Sequence, residues 1–219
     1  MQRRHAGRLL MAAIALCLSI GHSASYAAAA PSSVELTTRD ARTAESNLAG
    51  VIADAVRAVD KSDIAFMPAT AFAEVTLPKG NVTPADVVGA LVFRGDTVVV
   101  VRLTGAQVRK ALEHGLSLYP QKSSALLQVS GITATINPDA PKGSRVVSVR
   151  VGKDPISDTK TYTVAMPAPL ARGALVYDRV WSRSDVEHDT GKTLEQAVIA
   201  YVEARPSLGK AEERLVFRK

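Results

Sequence analysis

Gly95-Asp96-Thr97-Val98-Val99-Val100-Val101-Arg102-Leu103-Thr104-Gly105-Ala106-Gln107 is the stretch on which the reading of this 219-residue chain turns. Thr97 to Leu103 is the strongest strand in the sequence, because β-branched side chains suit a pleated surface. Thr104 and Gln107 then stand at capping-box spacing, the threonine hydroxyl positioned for an amide three residues on and the glutamine for the threonine's own amide. They predict a helix through Leu112 that Gly115 is placed to close.

Upstream of this strand-to-helix unit, Leu48, Val51, Ile52, Ala55, Val56 and Val59 form one apolar stripe at helical spacing, with Ser46 or Asn47 as N-cap. Ile64 to Met67 reads as a short buried strand. Thr83-Pro84 places proline at the first position of a helix expected to reach about Leu91. Downstream, Leu126–Ser130, Ile132–Ile136, Val146–Val151 and Thr161–Met166 are β-branched segments punctuated by Gly, Pro, Asn and Asp, and predict strands of a mixed sheet. A last helix is expected from Thr193 to about Ala204. No internal repeat is visible. The fold class is α+β: one domain over residues 44–219, with mixed β-sheet packed by helices. Two full domains would be cramped at this length.

Residues 1–30 read as a signal peptide: Arg3, Arg4 and Arg8 precede an apolar run from Leu9 to Ile20 that is short for a bilayer span, and small residues follow. The expected location is periplasmic or secreted. Losing those three arginines lowers the net charge from +6 to +3, which removes the electrostatic footing for nucleic-acid binding. The one cysteine, Cys17, lies inside the apolar run, so disulfides, thiol catalysis and zinc–cysteine sites are excluded from the mature chain, and no membrane attachment is expected after cleavage. Residues 31–43, polar and without period, are expected to form a flexible leader.

Five strings, in order and in spacing, resemble the C-terminal domain of the 5′-nucleotidase / UDP-sugar hydrolase family: Glu45-Ser46-Asn47-Leu48, Ser62-Asp63-Ile64-Ala65, Gly95 through Gln107, Leu127-Gln128-Val129-Ser130-Gly131, and Thr161-Tyr162-Thr163-Val164-Ala165. The resemblance covers roughly Ala44 to Tyr201. It implies a domain that binds the base and sugar of a nucleotide, while a separate N-terminal metallophosphatase domain holds two metal ions and hydrolyses. No counterpart of that N-terminal domain is expected within these residues. A two-metal phosphoesterase needs ligands converging on ions about 3.5–4 Å apart, and neither His114 nor His188 sits in an Asp-x-His or Gly-Asn-His setting. No catalytic residue, metal ligand or cofactor is expected.

The ligand positions that the resemblance implies are mostly replaced. Where the family has Asn-Gly-Gly-Gly-Ile-Arg, this chain reads Pro68-Ala69-Thr70-Ala71-Phe72-Ala73-Glu74, so the substrate-holding arginine becomes Ala73, or Glu74 if a gap shifts. Neither supplies a guanidinium's forked donor. For Pro-Phe-x-Asn-Thr it has Phe93-Arg94-Gly95-Asp96-Thr97: Arg94 takes the stacking position, or Phe93 does after a one-residue shift, and Asp96 stands for the asparagine. For Asn-Asp-Phe-Leu-x-x-Gly-Gly-Asp-Gly-Tyr it has Pro167 through Tyr177, with Pro169 for the second stacking ring, Leu175 for the acid, and Arg172 within the segment. The candidate ligand-binding residues are therefore Phe93, Arg94, Asp96, Arg172 and Tyr177, in a pocket made more apolar.

Plainer readings are preferred elsewhere. Asp185, Glu187, His188 and Asp189 read as a polar loop before the last helix rather than metal ligands, and Arg172, Arg179 and Arg183 as a solvated loop around a half-buried Trp181. Tyr119 to Ser123 is an ordinary loop in a position to flank the pocket mouth, and Ser46 and Ser130 lack His/Asp partners for nucleophilic chemistry. Two function classes stay open. One is a noncatalytic exported module that binds a nucleotide-like or other small ligand, or docks onto a separate metallophosphatase. The other is a 5′-nucleotidase-type hydrolase working with such a separate subunit.

Overall fold

The computed structural model describes residues 29–209 and 213–218. The expected signal peptide lies outside these residues except for its last two. In chain order the elements are β1 (Ala30–Ser32), β2 (Leu36–Thr37), α1 (Asn47–Ala58), β3 (Ile64–Pro68), β4 (Thr76–Leu77), β5 (Gly80–Val82), α2 (Pro84–Val88), β6 (Thr97–Thr104), α3 (Gly105–Gly115), β7 (Leu127–Ser130) and β8 (Ile132–Ile136). There follow β9 (Val146–Val151), β10 (Asp154–Pro155), β11 (Thr161–Pro167), α4 (Ala168–Ala171), β12 (Val186–Thr193), α5 (Leu194–Glu203) and β13 (Leu215–Phe217).

The centre is a five-stranded mixed sheet in the order β12-β6-β11-β3-β7, antiparallel except for the β11–β3 pair. Its inner strands are covered on both faces, and the period of two sorts their side chains. Ile64 and Phe66 of β3, Val99, Val101 and Leu103 of β6, and Val164 and Met166 of β11 face one core, which α3 fills with Val108, Ala111 and Leu112. A second, four-stranded sheet, β10-β9-β8-β13, closes that core with Ile132, Ala134, Ile136, Val149 and Leu215. Ala65, Met67, Val98 and Ala165 face the other way, against Leu48, Ile52 and Val56 of α1 and Leu194, Val198 and Val202 of α5.

The strand-to-helix unit forms as its residues dictate. Thr104 accepts the Gln107 amide at 3.2 Å, and the Gln107 side chain accepts the Thr104 amide at 2.8 Å. Gly105 has a packing reason: a side chain there would run into the carbonyl of Ser157. Gly131 has two, since it sits at φ +80°, a backbone conformation open to glycine, and a Cβ would strike the Asp63 carbonyl.

Three expectations are corrected. The leader over residues 31–43 is not loose: β1 pairs with β5, β2 pairs with β4, and Leu36 and Ala41 are buried. The cause is Gln128 of β7, 1% exposed, whose amide donates to the Ala41 and Ala44 carbonyls at 3.0 and 2.8 Å and accepts the Ser46 amide at 3.0 Å. The polar stretch before the last helix is edge strand β12, bonded along β6 with two register shifts. Helix α2 ends at Val88, and the chain turns so that Leu91 bridges Phe72.

The C-terminal strand is bolted down by Arg214, 8% exposed. Its guanidinium donates to Asp54 Oδ2 at 2.8 Å and to the carbonyls of Gly50 and Val129, each at 3.0 Å. Ser130 Oγ donates to the other Asp54 oxygen at 2.5 Å, and Glu45 accepts the Arg214 and Leu215 amides. Asp54→Ala leaves a guanidinium in a largely dry site without its counter-ion and is expected to cost about 3 kcal/mol in urea denaturation, whereas alanine at the surface ion-pair residue Glu187 changes stability by less than about 0.5 kcal/mol.

Candidate functional site

Three neighbouring strands of the central sheet meet the protein surface at one end. The parallel strands β3 and β11 finish there in Pro68 and Pro167, and antiparallel β6 starts there, Pro167 lying opposite Val98. Proline lacks an N–H and cannot extend a ladder, so the chain leaves the sheet at both points and a crevice opens between the departing segments. The crevice is a cavity of about 290 Å³. The turn after β3 contributes Pro68, Thr70 and Ala71; the approach to β6 contributes Phe93 and Asp96; the chain after β11 contributes Pro167, Pro169, Leu170, Ala174 and Leu175. All three segments in which the sequence departs from the pattern it resembles thus border one space.

Backbone bonds hold these walls. Ala69 and Thr70 donate to the carbonyls of Leu126 and Ser124 at 2.8 and 3.1 Å, and Val92 donates to Ala71 at 2.9 Å, joining the first wall to the second. The carbonyls of Arg94 and Asp96 accept the first amides of α5, from Glu195 and Leu194 at 3.1 and 2.9 Å. The third wall is supported from beneath. Trp181 Nε1 donates to the Leu170 carbonyl at 3.0 Å, and His114 Nε2 donates to the Leu175 carbonyl at 2.8 Å, which fixes the proton on that ring nitrogen because a carbonyl only accepts. Tyr177 fills the space between them, stacked on Trp181 with centroids 4.7 Å apart and edge-on to His114 at 4.6 Å.

Of the candidate residues, Phe93 and Asp96 line the cavity; Arg94, Arg172 and Tyr177 do not. Phe93 is 49% exposed and presents a ring at the mouth, while Arg94 is exposed outside the lining. Arg172 caps the C-terminal end of α4 on the surface, near enough for its charge to act on Asp96 and Asp189. Tyr177 is a correction: it is fully buried and its hydroxyl donates to the Ala125 carbonyl at 2.7 Å, so it is a core residue out of ligand reach. Burial pushes its phenol well above the ordinary range. Trp181, expected half-buried, is 2% exposed. Tyr119 stacks on Phe217 with centroids 5.2 Å apart, away from the cavity lining. Sequence reasoning missed His114 and Trp181 as wall supports; a lone His and a lone Trp carry no spacing signal.

The acidic stretch near β12 has structural partners. Asp185 accepts the Ser182 amide at 2.7 Å, Glu187 pairs with Arg102 at 3.4 Å, His188 faces Asp60 at 3.6 Å, and Asp189 accepts from Thr97 Oγ1 at 2.7 Å. Among the described residues no group of three or more His, Cys, Asp or Glu side chains is placed to share a metal ion.

Two features of the site are out of the ordinary. Leu175 and Val176 sit in the left-handed region, at φ 59° and 67°. For a β-branched valine this is strained, and Val176 stands half exposed at the position where the resembled pattern has glycine. Asp96 is the one charged residue of the lining, and its carboxylate accepts no hydrogen bond from the described residues. Burial raises its proton affinity, and Arg172 offsets part of that.

A family model described as "5′-nucleotidase, C-terminal domain" matches residues 19–180. A 5′-nucleotidase of Diplobatis ommata is 26% identical over 83% of this chain and 35% of its own length. The trifunctional nucleotide phosphoesterase protein YfkN of Bacillus subtilis is 34% identical over 57% of this chain and 9% of its own. Among solved structures, a 5′-nucleotidase precursor from Thermus thermophilus superposes with a TM-score of 0.75 at 28% identity, covering 86% of this chain and 39% of that one. The chain thus spans little more than a third of these relatives at most.

Two outcomes follow. Val176→Gly removes a left-handed side chain worth about 1–2 kcal/mol of strain against roughly 0.5–1 kcal/mol of added unfolded-state entropy, so chemical denaturation will show a stabilised protein, and Val176→Ala a smaller gain. For Asp96, a carboxyl whose pKa is raised in the fold contributes stability that is fully present below the unfolded pKa and is lost as pH rises through the folded value. Asp96→Asn therefore melts higher than the parent at pH 7, with the difference vanishing by about pH 3, where both carboxyl states are protonated.

Proposed function

This chain belongs to the 5′-nucleotidase C-terminal domain family, and we propose that it acts as an exported, noncatalytic module of nucleotide breakdown that binds a small ligand or serves as an accessory. The observation that carries this reading is the convergence of three departed segments on one cavity. Apart from Asp96, the replaced charged and amide positions carry prolines, alanines and leucine while the scaffold strings persist. A phosphate buried against such walls loses its hydration and finds one side-chain donor, Thr70, in return, which is costly. A ring, by contrast, finds one aromatic face in Phe93 and apolar surface in Pro169 and Leu170. In this reading Phe93 and Asp96 contact the ligand, and Arg94 and Arg172 border the entrance. The apolar run following Arg3, Arg4 and Arg8 supports export, and no helix among the described residues is long and apolar enough to cross a membrane.

The resemblance to 5′-nucleotidases carries a second reading, in which the chain works with a separate metallophosphatase subunit and so takes part in hydrolysis of nucleotides. Assays of the purified chain with AMP, UDP-glucose and p-nitrophenyl phosphate in Mg²⁺, Mn²⁺ or Zn²⁺ separate autonomous chemistry from binding. The expected result is no turnover above background; turnover abolished by chelator would overturn the noncatalytic assignment.

A further inference from the structure

Resting on the reading of the chain as a ligand-binding module, we propose that the cavity selects a small molecule with a flat apolar body and a protonated amine, the amine seated against the Asp96 carboxylate. Pro68, Pro167 and Pro169 have no amide hydrogen, and Ala71, Leu170 and Leu175 offer only hydrocarbon side chains. Thr70 supplies the only side-chain donor in the lining, so the oxygens of a carboxylate or phosphate would be stripped of water and left largely unpaired. The same walls favour an apolar body, and a cavity of about 290 Å³ sits at the small end of ligand pockets, roomy enough for a bicyclic ring with a short side arm.

The polar requirement comes from Asp96. Asp96 is a half-buried residue of this lining whose carboxylate has no hydrogen-bond donor among the described residues, and Arg172, whose charge acts on it, lies outside the lining. An ammonium delivered with the ligand supplies the missing donor, and charge-assisted hydrogen bonds of this kind are about twice as strong as neutral ones. Phe93, with its ring half exposed at the mouth, adds an aromatic face to which a cation is attracted. Body and cation are thus recognised within one cavity, and anionic ligands of the same shape meet a like charge at Asp96.

Tryptamine, tryptophol and indole-3-acetate share an indole and differ in a cationic, neutral or anionic arm. Titrated into the full ¹⁵N-labelled chain at pH 7 and followed by amide chemical shifts of cavity residues, tryptamine is expected to bind at least about five-fold more tightly than tryptophol, with indole-3-acetate weakest. Asp96→Asn, whose fold is checked by its melting curve, is expected to bring tryptamine and tryptophol to equal affinity. Tighter binding of indole-3-acetate or AMP than of tryptamine, or an amine preference that survives Asp96→Asn, overturns the proposal. Adenosine is titrated in parallel: shifts with adenosine and none with tryptamine reject the amine while leaving the ligand-binding reading standing, and cavity residues silent to every probe reject both.

Discussion

Burial of the central sheet's inner strands on both faces is the constraint from which the remaining architecture follows. Strands β3, β6 and β11 send alternate side chains into two separate cores, one under α3 and the second sheet, the other under α1 and α5. A strand sealed above and below can present chemistry only where it ends. Pro68 and Pro167 end two neighbours at the same edge of the molecule, Asp96 precedes the third, and the cavity between them is the geometric remainder. The site's position is therefore set by the sheet, and its chemistry by the segments that leave it.

The elements most legible in the sequence are those whose stability is local or whose apolar pattern is long. The runs at Val98–Val101 and Val164–Met166, the stripe on α1, the capping box at Thr104 and the helix starts behind Thr83 and Thr193 all stand where their residues place them. What escapes a reading along the chain depends on distant partners. Strand β12 is polar and has no period of its own; it is a strand because β6 offers it a free edge. The segment at residues 31–43 is ordered by a buried amide on β7, more than eighty residues away, which no window along the chain contains. Strand β13 is three residues long and gains its place from the pairing with β8 and from Arg214.

At the site, ungapped comparison names segments but not which side chain of each faces inward. It favours Arg94 over Phe93 by one position, and the turn before β6 puts the phenylalanine in the lining. It also carries Tyr177 forward as a ligand residue because a tyrosine stands in the matching place. That tyrosine belongs to a buried trio with Trp181 and His114, which braces the cavity wall through the carbonyls of Leu170 and Leu175. The left-handed backbone at Leu175 and Val176 is equally invisible, since valine announces nothing about a positive φ.

The bolt formed by Arg214 reaches far back along the chain. One guanidinium spans α1 and β7, yet it is made 85 residues after Val129, the later of the two carbonyl partners it joins. Ser130 Oγ already ties β7 to Asp54, and Arg214 adds the Gly50 and Val129 carbonyls and the second Asp54 oxygen to that link. The last strand is thus fastened to two elements laid down far earlier in the chain, so a truncation before residue 214 removes a counter-ion from Asp54 as well as a strand from the second sheet.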